Sequence, residues 1–255
     1  MLIDTHAHLS DGAFDDIREE VIEKARQCSV TKIITSGSDY KSSLEAFSLA
    51  QKYEDIYCSI GIYPESILEL NDEVESKLYK LGQDKKVVAI GEIGLQYTEG
   101  APDRELQKCG FIRQIKLAFN LNKPIVIHCR DAYGDLIDLL KKYREYFSGG
   151  TLHCYGGSYE IAMEAIKLGY YISVGGVSTF KNAQNIKEVI KKLPLERLVL
   201  ETDCPYLTPH PYRGKLNMPS YIPTIAENLA QLKGVSVEEV VMQSTNNARR
   251  LFNIW

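Results

Sequence analysis

Short apolar runs recur along this chain at nearly constant spacing, and this recurrence restricts the possible folds more strongly than any other feature. There are eight of them: Leu2–Ile3, Lys32–Thr35, Ile56–Ile60, Val87–Ile90, Ile125–Ile127, Gly150–Leu152, Tyr170–Val174 and Leu198–Leu200. The runs end near residues 6, 36, 61, 92, 128, 153, 175 and 203, so successive ends are 22 to 36 residues apart. A βαβ unit needs roughly 30 residues. Because the runs show little polar alternation, they are typical of parallel strands covered by helices.

The segments between the runs have the periodicity of amphipathic helices. Three apolar stripes occur at helical spacing: Phe111, Ile115, Ala118 and Phe119; Leu136, Leu139, Leu140 and Tyr143; Ile186, Val189, Ile190 and Leu193. Asp103, Ser158 and Ser236 are predicted N-caps, and Glu239 completes the pattern of a capping box with Ser236. Eight strand–helix units predict an α/β fold, the (β/α)8 TIM barrel, as a single domain over residues 1–255. A doubly wound sheet is the alternative, although it usually has fewer strands.

Composition excludes several classes of protein. Of the 255 residues, 44% are hydrophobic and 25% charged, and no apolar run approaches the ~18 residues that span a bilayer. The first residues lack the basic and apolar regions of a signal peptide, and the six cysteines include no CxxC pair, so we expect reduced thiols and a cytoplasmic location. The 30 basic and 34 acidic residues give a net charge of −4, which argues against a surface that coats long polyanions.

Side chains that bind metals follow five of the apolar runs. They are His6, His8, Glu92, His128, His153 and Asp203. The strands of a barrel bring such residues to one mouth, and a His-x-His pair on an extended segment projects both rings to the same side. Nitrogen and oxygen donors of these kinds hold divalent transition metals, and six are enough for two ions. Each residue by itself could instead be a hydrogen-bonded core group or a helix cap. Burying all six together without a cation is costly, which favours a metal site.

Longer motifs around these residues resemble a known family. They are Asp4–His8, Gly91–Leu95, Ile127–Ala132, Leu152–Ser158, Ser178–Asn182, Leu200–Leu207, Arg213–Lys215, Asn217 and Pro219. Together they resemble the TatD-type metal-dependent deoxyribonucleases, members of the amidohydrolase-like barrel superfamily. The resemblance implies that His6, His8 and Asp203 hold one divalent ion and that His128 and His153 hold a second. Glu92 would bridge the two ions, which could be Mg, Mn or Zn.

The same resemblance implies a hydrolase that removes nucleotides from DNA ends. The expected activity is that of a 3′–5′ exonuclease, in which water activated by two metal ions cleaves phosphodiester bonds. Asp203 and Glu92 would be the catalytic residues, with Asp203 also accepting the proton of the water. The expected substrate is DNA, single-stranded or at its 3′ ends. Neither a membrane nor an obligatory protein partner is expected.

Candidate substrate contacts are less distinctive than the candidate ligands. Arg130, Arg213 and Lys215 follow strand ends and are predicted to bind phosphates, for which arginine has two matching donors. Tyr155 and Tyr63 are predicted to stack on bases, as aromatic side chains do in proteins that bind single strands. Ordinary solvated charges and packed tyrosines are the alternatives at all five positions.

Two positions depart from the family pattern. Tyr63 stands where the family commonly has histidine, and Gln96 stands where it often has aspartate. Neither is among the six candidate ligands, so we expect a retained metal site with altered substrate handling. Two other functions stay open: hydrolysis of an amide, lactone or aminoacyl ester at the same site, and a barrel that binds metal or nucleotide without turnover.

Overall fold

A computed structural model describes all 255 residues and has eight parallel strands at its centre. The strands are β1 (Leu2–Ala7), β2 (Val30–Ser36), β3 (Ile56–Ile60), β4 (Val87–Gln96), β5 (Ile125–Arg130), β6 (Gly150–Leu152), β7 (Tyr171–Val174) and β8 (Leu198–Leu200). Each strand pairs in parallel with the next one along the chain. The segment after β8 returns to β1, where Asp203 N donates to His6 O at 2.9 Å. This arrangement confirms the predicted TIM barrel and excludes the doubly wound sheet.

Nine helices surround the strands. They are α1 (Arg18–Gln27), α2 (Tyr40–Lys52), α3 (Asp72–Gly82), α4 (Arg104–Leu121), α5 (Tyr133–Lys142), α6 (Tyr159–Lys167), α7 (Gln184–Lys192), α8 (Ile222–Lys233) and α9 (Val237–Phe252). The first seven each connect two successive strands, as the barrel topology requires. None of the nine combines the length and the apolar character that a helix needs to cross a bilayer.

The predicted caps form, with one correction. Asp103, Ser158 and Ser236 accept backbone hydrogen bonds at the starts of α4, α6 and α9. The capping box predicted for Ser236 is only half formed, because Glu239 does not return a side-chain bond to the Ser236 backbone. A complete box occurs instead at the start of α2, where Asp39 and Ser42 cap each other.

One member of the predicted apolar stripes faces solvent. Phe111, Ile115 and Ala118 of α4 are buried, but Phe119 is 44% exposed. At 100° per residue, Phe119 lies about 80° around the helix from Phe111, which places it at the edge of the buried face. Its ring packs edge-on against that of Tyr146, with centroids 5.5 Å apart.

Apolar side chains close the end of the barrel opposite the mouth. Five strands contribute to a small cluster with the end of α9, whose members include Ile3, Ile34, Val88, Val126, Val199, Phe252 and Ile254. Thr245 of α9 donates to Met1 O at 2.9 Å, so the helix lies beneath the start of β1. Asn247 donates to Leu198 O at 2.7 Å and fixes the helix to β8 as well. The apolar plug leaves polar chemistry to the other end of the strands.

Gly94 is predicted to be indispensable to the contact between β4 and β5. Its φ is 148°, and a Cβ atom there would lie 1.9 Å from His128 O. Gly94→Ala should therefore force the strands apart and lower the free energy of unfolding by at least about 2 kcal/mol. Urea unfolding followed by circular dichroism measures the change.

Gly134 provides the matched control. This glycine is exposed within α5, and a Cβ atom there would meet nothing within 4 Å. Gly134→Ala should raise the free energy of unfolding by about 0.5–1 kcal/mol, because alanine restricts the unfolded chain and favours the helix. An unfolding midpoint of Gly94→Ala equal to that of the wild type would contradict the steric account.

Candidate metal centre

The C-terminal mouth of the barrel brings the six candidate ligands together. They come from different strands or from the residues that follow them: His6 and His8 from β1, Glu92 from β4, His128 from β5, His153 after β6 and Asp203 after β8. Glu92 and His153 are 4% and 6% exposed, and His6 is completely buried. Their donor atoms divide into two groups that share the carboxylate of Glu92.

The first donor group consists of His6 Nε2, His8 Nε2, Glu92 Oε2 and Asp203 Oδ1. The two imidazole nitrogens lie 3.1 Å apart. His6 Nε2 is 3.4 Å from Glu92 Oε2 and 3.5 Å from Asp203 Oδ1. His8 Nε2 is 3.6 Å and 3.4 Å from the same two oxygens. All four atoms therefore point at one small volume.

The second donor group consists of Glu92 Oε1, His128 Nδ1 and His153 Nε2. The carboxylate oxygen is 3.0 Å from His128 Nδ1 and 2.8 Å from His153 Nε2. The two ring nitrogens are 3.2 Å apart. Glu92 thus directs one oxygen to each donor group, which is the geometry of a bridging carboxylate.

The donor separations fit divalent metal ions. Ligand atoms at about 2.0–2.2 Å from one ion lie about 2.8–3.6 Å apart in tetrahedral or octahedral arrangements. Every measured separation within the two groups, from 2.8 to 3.6 Å, falls in this range. Imidazole nitrogens mixed with carboxylate oxygens are donors typical of Zn and Mn sites. These residues can hold metal.

Ser36 lies behind both histidines of the first donor group. His8 Nδ1 is 3.1 Å from the Ser36 carbonyl oxygen, which can only accept, so Nδ1 carries a hydrogen and in the neutral ring Nε2 has the lone pair. His6 Nδ1 is 3.1 Å from Ser36 Oγ, which also accepts from Ser59 Oγ at 2.8 Å. Outer contacts of this kind orient ligating rings. Ser36 was not among the residues predicted for the site, although it is the last residue of β2 and so lies at the mouth.

Two further buried carboxyls were missed as part of the site. Glu201 is completely buried, and its Oε1 accepts from Cys154 N at 2.5 Å and lies 3.8 Å from His153 Nδ1. Asp4 is also completely buried and accepts from Thr202 Oγ1 at 2.5 Å, which ties β1 to the segment that carries Asp203. Burial raises the pKa of each carboxyl to about 7. Both residues lie inside the motifs that carry the family resemblance. Each is two residues from a candidate ligand in the sequence, and this proximity could have indicated that they belong to the site.

Burial and mutual charge set the protonation of the metal-free site. Burial opposes a charge on Glu92, but the positive charge of His153 and the hydrogen bonds from His128, His153 and His6 together outweigh it and hold the pKa of Glu92 well below its usual range. Burial likewise opposes protonation of His153, yet Glu92 outweighs it and raises the pKa of His153 to about 10. Burial, together with the charge of His153, lowers the pKa of His6 to about 4. A proton on His153 therefore takes the place of a cation.

The mouth opens into a cavity of about 490 Å³ whose only basic side chains are those of His8, His128 and His153. None of its 16 lining residues is lysine or arginine. Besides the donor groups, its wall carries several serines and the carboxylates of Asp11, Glu45 and Glu65. A positive charge inside this cavity can therefore come only from protonated histidines or from metal.

The three candidate phosphate-binding cations lie outside the cavity. Arg130, at the end of β5, is exposed and has no carboxylate partner. Arg213 is exposed, with its guanidinium 4.0 Å from the centroid of the Phe180 ring and a bond to Thr208 O at 3.1 Å. Lys215 is exposed as well, and its Nζ lies 5.8 Å from the centroid of the Tyr212 ring. All three are surface cations, and of the three only Arg130 does not lie over an aromatic ring.

The two candidate stacking tyrosines have different surroundings. Tyr63 lines the cavity, and its hydroxyl lies 3.0 Å from His128 Nε2. Tyr155 is only 5% exposed and donates to Ser158 O at 2.6 Å, which commits it to the fold. Tyr206 also lines the cavity; it is 53% exposed and donates to Asp11 at 2.8 Å.

Comparison with known proteins finds relatives along the whole chain. The family model described as TatD related DNase matches residues 3–253. The Bacillus subtilis protein named uncharacterized metal-dependent hydrolase YabD is 44% identical over 254 residues, 100% of both chains. The 3'-5' ssDNA/RNA exonuclease TatD of Erwinia tasmaniensis is 32% identical, over 99% of this chain and 100% of its own. The crystal structure of YjjV, a TatD homologue from Escherichia coli K12, matches with a TM-score of 0.94 at 31% identity, over 100% of this chain and 98% of that one.

Metal affinity is predicted to rise with pH. His153 binds a proton in the metal-free protein because its pKa is raised to about 10, and a metal ion must displace that proton. Below this pKa, each displaced proton should raise the affinity about tenfold per pH unit. Competition with a chromophoric chelator for Zn²⁺ at pH 6, 7 and 8 measures the slope.

His210 offers the control for this titration. It is exposed and does not line the cavity, so His210→Gln should leave the slope unchanged. An affinity that stays constant between pH 6 and 8 would contradict the displacement of a proton from the donor groups.

Proposed function

The chain belongs to the TatD related DNase family of metal-dependent hydrolases, and from that premise we propose that it removes nucleotides from the 3′ ends of DNA. The main support for this proposal is the position of the Glu92 carboxylate. Its Oε2 faces His6 and His8, and its Oε1 faces His128 and His153. Two divalent ions would then have separate ligand sets: His6, His8 and Asp203 would hold one, and His128 and His153 the other. Phosphoryl transfer uses such paired sites.

Glu92 and Asp203 have distinct roles in the proposed reaction. Two divalent ions at this centre would supply Lewis-acid polarisation of the scissile phosphate and a nucleophilic water at neutral pH. Asp203 lies at the cavity wall, where its carboxylate can accept the proton of the attacking water. Glu92 stays ionised, because its pKa is held well below the usual range, and joins the two ligand sets.

The backbone holds Asp203 in a conformation that ordinary residues avoid. Its φ is 57°, in the left-handed region. Two hydrogen bonds keep it there: Asp203 N donates to His6 O at 2.9 Å, and Tyr206 N donates to Asp203 O at 3.0 Å. Strain of this kind persists where the surroundings impose it, often at functional sites. It supports a catalytic role for Asp203.

The charge distribution supports action on one phosphate at a time. Two carboxylates and two divalent ions would give the centre a net charge of about +2, enough to attract a single phosphate. The cavity wall adds no cation, so the adjoining strand has no basic groove to follow. Arg130, exposed at the end of β5, could hold the next phosphate at the rim, whereas Arg213 and Lys215 lie over the rings of Phe180 and Tyr212. These features, with the exonuclease name of the Erwinia relative, favour cleavage at strand ends.

A second candidate follows from the same cavity wall. Asp11, Glu45 and Glu65 disfavour an anionic substrate and favour a neutral or cationic one. The metal chemistry suits carbonyl groups as well, so an amide, lactone or aminoacyl ester is the alternative substrate.

Asp203→Asn tests the proposed chemistry. Asparagine keeps one oxygen for metal but cannot accept a proton, so the rate constant for cleavage should fall about 100- to 10,000-fold. The assay uses a 5′-labelled single-stranded oligonucleotide with Mg²⁺, Mn²⁺ or Zn²⁺, and follows shortening from the 3′ end. A wild-type protein that binds metal yet leaves DNA intact with all three would contradict the nuclease, and unchanged cleavage by Asp203→Asn would contradict its role.

Arg130→Ala distinguishes the two candidate substrates. Loss of one phosphate contact should raise KM for the oligonucleotide about 5- to 30-fold and leave hydrolysis of a neutral ester unchanged. Arg213→Ala is the matched arginine control and should have a smaller effect on DNA, since Arg213 already stacks on Phe180. If Arg130→Ala leaves DNA cleavage unchanged while ester hydrolysis is the faster reaction, the second candidate replaces the first.

A further inference from the structure

Gln96 occupies a fixed position beside the second donor group. It ends β4 and is only 6% exposed. The side-chain amide of Gln107 bonds to both backbone groups of Gln96. Gln96 N donates to Gln107 Oε1, and Gln107 Nε2 donates to Gln96 O, both at 2.8 Å. The Gln96 side chain therefore starts from a rigid point and contacts His128, Tyr63 and Glu65.

Glu65 determines which way round the amide of Gln96 lies. Gln96 Nε2 donates to Glu65 Oε1. A carboxylate can only accept, so the amide nitrogen must face Glu65 and the amide oxygen must face the other way. That oxygen accepts from the Tyr63 hydroxyl at 2.6 Å and lies 2.9 Å from His128 Nε2. Burial raises the pKa of the Tyr63 phenol, which keeps it protonated as a donor.

The amide oxygen in turn constrains His128. An oxygen that only accepts, 2.9 Å from His128 Nε2, favours a hydrogen on that nitrogen. A neutral imidazole carries one hydrogen, so Nδ1 is then left with its lone pair. Nδ1 is the atom that faces Glu92 Oε1, at 3.0 Å, so in the metal-free protein this carboxylate competes with Gln96 for the single hydrogen of the neutral ring. A metal ion at Nδ1 needs the lone pair of that nitrogen, and Gln96 favours the form in which the hydrogen stays on Nε2.

We propose that Gln96 is the positioning residue for His128, whose Nε2 hydrogen it accepts so that the Nδ1 lone pair is directed at the second metal position. Glu65 and Tyr63 fix Gln96 in turn. This inference rests on the proposed function, since it takes His128 as a ligand. It also gives the two departures from the family pattern a common role, because Tyr63 and Gln96 bond to each other and act on the same ring.

The hydrogen position on His128 is the direct test. Long-range proton–nitrogen spectra of the metal-free protein labelled with ¹⁵N-histidine, recorded at alkaline pH, report which ring nitrogen carries hydrogen, and His128→Gln assigns the signal. Gln96→Met has similar length but no acceptor, so the share of the Nε2–H form should fall in that variant. An unchanged share would overturn the proposal.

Metal binding provides the second readout. Loss of an outer contact to a ligating histidine weakens metal binding by about 10- to 100-fold. Gln96→Met should therefore weaken one of the binding steps in a Zn²⁺ titration by that factor and leave the other unchanged. Equal affinities for Gln96→Met and the wild type would overturn the proposal.

The double variant Glu65→Gln/Gln96→Glu tests the direction of the hydrogen bonds. The new carboxylate at position 96 can accept from His128, while the new amide at position 65 donates to it, so the original pattern is restored. In the double variant, the Zn²⁺-binding step that Gln96→Met weakens should have at least wild-type affinity. Failure of this rescue, with the protein folded, would count against a role for the acceptor.

Gln114→Met controls for general damage to the fold. Gln114 is a buried amide that bonds only to the backbone of Ile62, at 2.8 and 2.9 Å. This variant should lose stability and keep wild-type metal affinity. If Gln96→Met does not fold, Gln96→Asn replaces it, because one fewer methylene withdraws the acceptor by about 1.5 Å.

The two hypotheses fail in different ways. A wild-type protein that binds no divalent metal contradicts the proposed function, and the tautomer comparison in the metal-free protein still decides the role of Gln96. A wild-type protein that binds metal, with Gln96→Met indistinguishable from it in both readouts, contradicts only the role of Gln96.

Discussion

The buried carboxylate of Glu92 is the group on which the rest of the centre depends. It is 4% exposed, and its two oxygens face two different pairs of histidines. A charge at this depth is stable only beside an opposite charge. In the metal-free protein the proton on His153 meets that need. Metal would replace this proton, so affinity for metal and pH are linked through the carboxylate.

The surrounding groups fix the rings that meet at Glu92. Ser36 contacts His6 and His8 from behind, and the buried Glu201 lies beside His153. Bonds from Thr202 to Asp4 and from Asp203 to His6 O join the two ends of the sheet beside the donors. The contacts that close the barrel between β1 and the segment after β8 therefore also fix the positions of the first donor group. At the other end, apolar contacts with α9 stabilise the barrel without taking part in chemistry.

The cavity wall limits what can bind there. It carries three carboxylates besides the donors and no lysine or arginine. The negative wall repels an anionic substrate unless metal supplies the attraction. This charge distribution supports the proposed action on one phosphate, or on a neutral group, more than binding of a long anionic strand. The net charge of −4 agrees with that limit.

The sequence by itself determined the barrel and the meeting of six donors, because both follow from spacing. Regular apolar runs predict parallel strands, and residues that follow such strands share a mouth whatever the details of packing. The tertiary structure alone decided which side chains other than these six reach the mouth and how the donors are held. Arg213 lies on Phe180, Tyr155 is packed beneath the surface, and Gln96 bonds to Glu65, 31 residues away. These outcomes depend on side-chain rotation and on contacts between distant segments, which carry no periodic signal in the chain.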